Sequence, residues 1–385
     1  MKAILRIGLL VFSRETKMLI EIINTQGIDL NDEKTHSFLH NIFCAFREGK
    51  HLIIADEEFL RNVSALKELG SLTCNTACSL ISKSREYKQL KNIVDYYCIV
   101  DMKNPNPSPT QTLDERNFFS VGYSYFNDSE KIQQTKLLCE DINDFKLYSQ
   151  IVKFFRYTIQ MQGVDVKLEI CNGGGANTIS NFEKIRARKL FCICLLDSDK
   201  KHPKAGLGST ASKFNTKTDS PLCKHFVIEP HEIESLIPLK IIEECLMNKT
   251  ISNAYILSLE QAQAITNYRP ETKLYFDHKE GFTVEKILEI ESKYKDGFWK
   301  DAIANAPGLK KKGCISTLEC KCNPSCLALP GFGTGLLEAG TKVIERMTHI
   351  KLNEAIPAIL MAQWQEIGSK LFSWGCSPSN RTRTS

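Results

Sequence analysis

Two kinds of hydrophobic pattern alternate along the first 130 residues. The segments KMLIEIINTQG and DEKTHSFLHNIFCAFREGK place apolar residues at helical spacing before Gly27 and Gly49, and they predict two helices. The shorter apolar runs HLIIAD (51–56), DYYCIVD (95–101) and FFSVGYSYF are typical of strands. Residues 1–130 are therefore predicted to form a mixed α/β domain, whose role the pattern does not reveal.

From residue 131 onward, strands and helices alternate. TKLLCED, VDVKLEICN, LFCICLLDSD and CKHFVIE are predicted strands, and amphipathic helical segments separate the first three of them. Apolar strands linked by helices predict a parallel sheet that is covered on both faces. We expect residues 131–240 to form this α/β domain, and residues 241–385 to be mainly helical with a Cys/Lys-rich insertion.

Composition restricts the class of protein without indicating its activity. Hydrophobic residues make up 42% and charged residues 25% of the 385 residues, which is typical of a globular protein. The net charge of +5 permits a nucleic-acid partner without requiring one. Arg6 interrupts the N-terminal apolar run, no run reaches membrane-spanning length, and the 15 cysteines cannot all pair internally. These features predict a reduced cytoplasmic protein without a signal peptide or a membrane contact.

Acidic residues follow the predicted strands at their carboxyl ends. Glu140 and Asp141 follow the first strand, and Asp197 and Asp199 follow the third. Ligands of open parallel sheets bind at this edge, and crowded carboxylates there favour a hard cation such as Mg²⁺ or Mn²⁺. Two such ions can hold the attacking and leaving oxygens of a phosphodiester. The alternative is that Asp197 and Asp199 start a loop, and that Asp141 or Asp144 caps a helix.

Four motifs in residues 134–240 resemble the Toprim domain, which topoisomerases, bacterial primases and nucleases of the OLD family share. In order, they are LLCEDINDF, CNGGGANTI, CLLDSDKKHP and FVIEPHEIESLIP. The nuclease branch is the most similar, although Ser235 stands where that family often has Asn. The resemblance implies a Toprim-like Rossmannoid parallel sheet, flanked by the N-terminal α/β region and the mostly helical C-terminal region.

The resemblance also implies an activity, that of a metal-dependent endonuclease acting on DNA or RNA. The metal ligands that it implies are Glu140, Asp144, Asp197, Asp199, Glu232 and Glu234. Glu140 would also act as general base and acid, and Lys279 is the candidate for the lysine that OLD-like nucleases use to stabilise the transition state. The glycine turn at 173–175 would either approach a phosphate or serve as a tight turn only.

Basic residues and the absence of an ATPase motif indicate the partners. A basic loop follows Asp197 and Asp199, which together are called the DxD pair. Its residues Lys200, Lys201, His202 and Lys204 are predicted to contact nucleic-acid phosphates, with a solvated loop as the alternative. Many OLD nucleases carry an ATPase in the same chain, but this sequence has no GxxxxGK[ST] motif. We therefore expect an effector subunit of an antiviral, anti-phage defence system that works with a separate ATPase or sensor. Self-association is left open.

A set of four cysteines stands apart from the other thiols. Cys314, Cys320, Cys322 and Cys326 are candidate ligands of a structural Zn²⁺, although their spacing is not that of paired CxxC motifs. Unpaired thiols in a loop are the alternative. For the whole chain, two other functions stay open. These are a primase- or topoisomerase-like phosphoryl-transfer enzyme, and a non-catalytic subunit that binds nucleic acid or protein.

Overall fold

The computed structural model describes residues 18–113, 117–216, 218–311 and 313–378. Contacts divide these residues into two compact units, one of residues 18–132 with 373–378 and the other of residues 133–372. Each unit contains a mainly parallel sheet with helices, so the predicted α/β class is confirmed. The N-terminal segment around Arg6 lies outside the described residues.

The N-terminal unit is built on a five-stranded sheet. Its strands are β1 (Leu19–Ile23), β2 (Leu52–Ile54), β3 (Tyr97–Asp101), β4 (Thr110–Leu113) and β5 (Asn117–Gly122), and its helices are α1 (Glu33–Arg47), α2 (Glu57–Ala65) and α3 (Gly70–Tyr87). The strands lie in the order β2–β1–β3–β5–β4. The pair of β4 and β5 is antiparallel, and the other pairs are parallel.

The segment around Leu19 is a strand, and the helix predicted there is wrong. β1 lies between β2 and β3, and Leu19 and Ile20 are fully buried. A strand that is covered on both faces is apolar at nearly every position, so its short sequence does not differ from that of a buried helical segment. The strands predicted at β2, β3 and β5 are confirmed.

The second unit is built on a four-stranded parallel sheet. The first elements of this unit are β6 (Lys136–Cys139), α4 (Asp144–Thr158), β7 (Val164–Val166), β8 (Glu169–Asn172), α5 (Thr178–Ala187), β9 (Cys192–Leu196) and β10 (Cys223–Val227). The strands of the sheet lie in the order β10–β9–β6–β8, and every neighbouring pair is parallel. The predicted parallel sheet is therefore confirmed, although VDVKLEICN forms two short strands, β7 and β8, rather than one.

The remainder of the chain is mainly helical, as its sequence predicts. Its elements are α6 (Leu239–Met247), α7 (Ile256–Tyr268), α8 (Thr272–Tyr275), β11 (Gly281–Thr283), α9 (Val284–Tyr294), α10 (Phe298–Asn305), α11 (Cys314–Thr317), β12 (Leu327–Pro330), α12 (Leu336–Arg346), α13 (His349–Ala355), α14 (Ala358–Gly375) and β13 (Cys376–Pro378). β11 and β12 pair with each other in antiparallel fashion. None of the described helices is long and apolar enough to cross a membrane.

Candidate metal and catalytic site

Two of the predicted acids meet at the carboxyl ends of β6 and β9. Glu140 follows β6, and its Oε1 accepts a hydrogen bond of 3.1 Å from the backbone N–H of Asp197, which follows β9. Because β6 and β9 are neighbours in the sheet, strand pairing itself brings these residues together. Asp199 is exposed and has a φ of 55°, and its N–H donates to the carbonyl oxygen of His231 at 2.9 Å.

The glycine turn at 173–175 packs against the main chain of Glu140. The N–H of Gly173 donates to the carbonyl oxygen of Cys139, and those of the next two glycines donate to the carbonyl oxygen of Glu140, at 2.7, 3.1 and 3.3 Å. A Cβ on Gly173 would lie 2.6 Å from the Cys139 carbonyl oxygen, so this close approach requires glycine. These N–H groups are directed at backbone carbonyls, which favours a tight turn over a phosphate site.

The segment after β10 contributes two buried carboxylates, and a lysine pairs with both of them. Lys279 Nζ lies 3.4 Å from Glu232 Oε2 and 3.1 Å from Glu234 Oε1. The other oxygen of Glu232 accepts hydrogen bonds from the backbone N–H groups of His278 and Lys279, at 2.9 and 3.2 Å. Glu234 Oε2 is buried and has no hydrogen-bond partner among the described groups. Such an oxygen is costly unless it binds a donor or a cation.

Asp144 brings a further carboxylate to the same place. It begins α4 and is buried, and its Oδ2 accepts a hydrogen bond of 3.0 Å from the backbone N–H of Asp141. A cavity of about 260 Å³ is lined by Asp144, Glu234 and Lys279, together with Asp141 and Thr334 among others. Three of the predicted site residues, from three separate segments, therefore face one space that is large enough for ions and water.

Burial and mutual repulsion raise the pKa values of four of the acids in this region. Burial and the nearby charge of Glu234 raise the pKa of Asp144 and that of Glu232 to about 7. Burial, followed by the carboxylates of Asp144 and Glu140, raises the pKa of Asp197 well above its usual value. The pKa of Glu140 is also raised, mainly by burial. The ionised forms of these acids are thus disfavoured unless a cation lies close to them.

Lys279 is the counter-ion of this cluster. Burial alone would lower the pKa of its ammonium, but the carboxylates of Glu232 and Glu234 outweigh that effect and raise the pKa above its ordinary value. Its charge also acts on Glu140 and Asp144, where it opposes the upward shift of the pKa. Lys279 therefore stays protonated in a position that is electrostatically coupled to acids from several segments.

The six predicted ligands do not form a tight coordination shell. Within the described ranges, two groups of at least three candidate ligands have all their ligand atoms within 4.8 Å of one another. One is the four-cysteine set, and the other consists of His231, Glu232 and Asp277. Only Glu232 of the predicted acids belongs to such a group. A cation at the carboxylate cluster would therefore need some side chains to turn toward it.

Asp277 is a site residue that sequence reasoning missed. It is 3% exposed, and its Oδ2 lies 2.7 Å from Lys201 Nζ and 3.5 Å from His231 Nε2. Burial raises its pKa, but the hydrogen bonds from His231 and Lys201 have the larger combined effect and lower it. Asp277 therefore attaches the loop that follows the DxD pair to the segment that carries Lys279. It stands two residues before that lysine, in the FDHKE run, which was the available signal.

A buried lysine–histidine pair next to Lys279 in the chain was also missed by sequence reasoning. Lys273 is 1% exposed, and its Nζ donates to the carbonyl oxygen of Ser235 and to His278 Nε2, both at 2.7 Å. His278 Nδ1 in turn donates to the carbonyl oxygen of Phe276 at 2.8 Å. Burial lowers the pKa of Lys273 well below its ordinary value. The pair joins the turn that carries Glu234 to the segment that carries Lys279.

The predicted phosphate-binding lysines are engaged within the protein. Lys200 pairs with Glu229 at 3.0 Å, and Lys201 pairs with Asp277 at 2.7 Å. Lys204 pairs with Asp296 at 2.8 Å, but its side chain is 65% exposed. Contact of these three lysines with nucleic acid stays a prediction, and the exposed Lys204 is the best placed for it.

His202 lies in the interior, whereas a phosphate contact requires it at the surface. It is 1% exposed, its ring stacks on Tyr294 with centroids 4.2 Å apart, and its Nε2 hydrogen-bonds Asp296 at 2.9 Å. We therefore withdraw His202 as a nucleic-acid contact. Its ring instead attaches the basic loop to the helical part of this unit, because stacking and the hydrogen bond both favour the buried position.

No protein-family model, curated protein or solved structure matches this chain significantly. The similarity to Toprim nucleases thus stays a prediction that depends on the four motifs. Of the features that this similarity implies, the structure contains the parallel sheet and the acids beyond the ends of its strands.

Proposed function

We propose that this protein is a metal-dependent nuclease that hydrolyses phosphodiester bonds at the carboxyl edge of the β10–β9–β6–β8 sheet. The observation that carries the proposal is the gathering of carboxylates from separate segments around the Lys279 ammonium. Within that cluster, the buried Glu234 Oε2 has no donor among the described groups. A cluster with raised pKa values, facing a cavity, is typical of functional sites.

The donor chemistry fits a hard divalent cation. Mg²⁺ and Mn²⁺ prefer carboxylate oxygens, and this cluster offers those of Glu140, Asp144, Asp197, Asp199, Glu232 and Glu234. Burial and neighbouring carboxylates raise the pKa values of Asp144 and Asp197, so a cation there would favour the ionised forms of these two acids. We propose that these residues hold Mg²⁺ or Mn²⁺, in a two-ion site as the Toprim resemblance implies. The ions would supply Lewis acidity that polarises the phosphoryl group.

The side chains of the protein provide proton transfer and charge stabilisation. Glu140 has a raised pKa and is held at the strand end by the Asp197 N–H, so it is suited to accept a proton from an attacking water. Lys279 stays protonated, so its ammonium can stabilise the negative charge that develops on the phosphate. The same two residues would return a proton and hold the charge of the products.

We extend the proposal to a biological setting, that of an effector subunit in antiviral defence. It is supported by the similarity of the motifs to OLD-family nucleases and by the absence of a P-loop from this sequence. We propose that a separate ATPase or sensor in the cytoplasm controls cleavage. If this chain were isolated without partners from cells under phage attack and cleaved nucleic acid constitutively, the proposed control by a partner would be wrong. The proposed nuclease activity would not be affected.

A cleavage assay tests the nuclease directly. Plasmid DNA and tRNA are incubated with the wild type in Mg²⁺, Mn²⁺ or EDTA, and with the Glu140→Ala and Asp197→Ala variants. We expect metal-dependent loss of at least one substrate, and a decrease in rate of about 10²-fold or more in each variant. The substrate that disappears identifies DNA or RNA. Equal cleavage by all three proteins would rule out this site, and binding without cleavage would support the non-catalytic alternative.

A further inference from the structure

Four cysteine thiols converge in the segment between α10 and β12. The Sγ atoms of Cys314, Cys320, Cys322 and Cys326 all lie within 4.8 Å of one another, and those of Cys314 and Cys322 are 4.0 Å apart. All four are free thiols. The spacing along the chain does not form paired CxxC motifs, but folding brings the side chains into a single group.

The separation of the sulfurs matches a tetrahedral zinc site. Zinc–sulfur bonds of about 2.3 Å place the sulfurs of such a site about 3.8 Å apart. The 4.0 Å between Cys314 and Cys322 is close to that edge, and it is about twice the length of a disulfide bond. A small rotation of the four side chains would complete the tetrahedron.

The described part of this segment has a small apolar core. Among its described residues between 307 and 326, the buried apolar side chains are Leu309 and Leu318. Leu318 has a φ of 52°, in the left-handed region that a leucine rarely adopts. A short segment with so small a core needs a covalent or metal crosslink to stay folded. In addition, the Cys326 N–H donates to Cys320 Sγ at 3.3 Å, which stabilises a thiolate.

We propose that these four cysteines bind one structural Zn²⁺. The ion replaces the proton of each thiol that was protonated, and the released protons pass to the solvent. Four sulfur ligands select a soft or borderline ion, so this site takes zinc, whereas the carboxylate cluster takes hard ions. All four positions of the tetrahedron are filled by protein, which is the form of a structural site.

The position of the last ligand indicates what the zinc does. Cys326 immediately precedes β12, and its carbonyl oxygen accepts a hydrogen bond of 2.9 Å from the Val284 N–H beside β11. Past the other end of this strand pair, the Gly333 N–H donates to the carbonyl oxygen of Lys279 at 3.0 Å. The zinc therefore crosslinks a segment whose continuation packs on the backbone of Lys279, and we infer that it keeps that backbone in place.

Metal analysis of the purified full-length protein tests the proposal. Mass spectrometry of the metal content should give one zinc per chain in the wild type, and much less in Cys320→Ser and Cys322→Ser. Cys78→Ser, which removes an exposed cysteine outside the set, is the matched control and should retain the zinc. Cys322→His keeps a zinc ligand and should retain zinc as well. Asp197→Asn should also retain it, because the carboxylates are a separate site.

Two measurements on the wild type keep the test independent of how the variants fold. Replacement of zinc by cobalt should give the absorption of a tetrahedral thiolate complex, and removal of the metal by a chelator should lower the melting temperature. Wild-type protein with no more zinc than Cys320→Ser would overturn the proposal. So would alkylation of the denatured protein if it showed that the four thiols are joined in disulfides.

Discussion

The two sheets of this protein both carry acidic residues at the carboxyl ends of parallel strands, but they use them differently. In the N-terminal unit, Asp56 follows β2 and Asp101 ends β3. Asp56 accepts a hydrogen bond of 2.9 Å from the Glu58 N–H and so caps its own helix. Asp101 accepts bonds of 2.9 Å from the Asn24 side chain and from the Lys103 N–H. These acids are satisfied by donors within their own unit.

The acids of the second unit are not satisfied in this way. Glu140 and Asp197 sit at equivalent strand ends, but they are joined by carboxylates from other segments, and their pKa values are raised. Glu234 retains a buried oxygen without a partner among the described groups. An acid at a strand end is therefore not a site by itself. What distinguishes the second sheet is the density of buried carboxylates around one lysine.

The largest expected effect comes from removal of that lysine. Lys279→Met should slow cleavage by about 10²–10³-fold, because the ammonium that stabilises the phosphate charge is lost. The matched control is Lys91→Met, since Lys91 pairs with Glu21 at 2.7 Å at the other sheet and should not affect cleavage. Initial rates under identical metal concentrations give the comparison. Wild-type rates in Lys279→Met would show that the two sheets do not differ in the way proposed.

The second-largest expected effect is a dependence of the melting temperature on pH, which Mg²⁺ should weaken. The pKa of Asp144 is about 7 in the folded protein and 3.8 unperturbed, so the folded state binds the proton more tightly. Its contribution to stability is therefore greatest at low pH and decreases as the pH rises toward about 7, by at most about 4 kcal/mol. Glu232 acts in the same direction. With EDTA, we expect the melting temperature to fall between about pH 5 and about pH 8.

Mg²⁺ should restore the melting temperature mainly at the higher pH, because it binds ionised carboxylates. Asp144→Asn is the control, since it keeps the shape of the side chain and removes the titration. That variant should lose part of the pH dependence. A Mg²⁺ effect of the same size at both pH values would contradict the idea that uncompensated charge distinguishes the second sheet.

A pair of glycines provides a steric test of smaller size. A Cβ on Gly208 would lie 1.8 Å from Asp199 Oδ2, whereas nothing lies within 4 Å of a Cβ on Gly206. Gly208→Ala should therefore lower the free energy of unfolding by about 1–3 kcal/mol and move Asp199, which slows cleavage. Gly206→Ala should be neutral or slightly stabilising. Denaturant unfolding and cleavage rates measure both effects. Equal stability and equal cleavage rates in the two variants would show that the contact between residue 208 and Asp199 has no effect.

The fold of the second unit could be predicted because short apolar runs alternate there with amphipathic helical segments. Hydrophobic pattern failed at Leu19, because a short apolar run belongs equally well to a strand or to a buried helix. The acids at the ends of β6 and β9 could also be predicted, since neighbouring parallel strands end at the same edge. Strand pairing thus accounts for the part of the site that the pattern of residues reveals.

The rest of the site depends on contacts between residues far apart in the chain. His202 stacks on Tyr294, and Lys273 donates to the carbonyl oxygen of Ser235. Nothing in the local pattern of either residue indicates these partners, so a histidine among lysines looked exposed and a buried lysine went unnoticed. Asp277 was missed although it stands two residues before Lys279, because its importance comes from Lys201 in a distant loop.

The smallest expected effect concerns an acid that only caps a helix. Asp56→Ala removes the acceptor of the Glu58 and Phe59 N–H groups, and it should lower the free energy of unfolding by about 1 kcal/mol. Asp56→Asn retains a capping oxygen and should cost little. Both variants should cleave at the wild-type rate, because the Asp56 carboxylate serves α2 alone in the proposal. If Asp56→Ala abolished cleavage without unfolding the protein, acids of the N-terminal sheet would belong to the chemistry, and the contrast between the sheets would have to be abandoned.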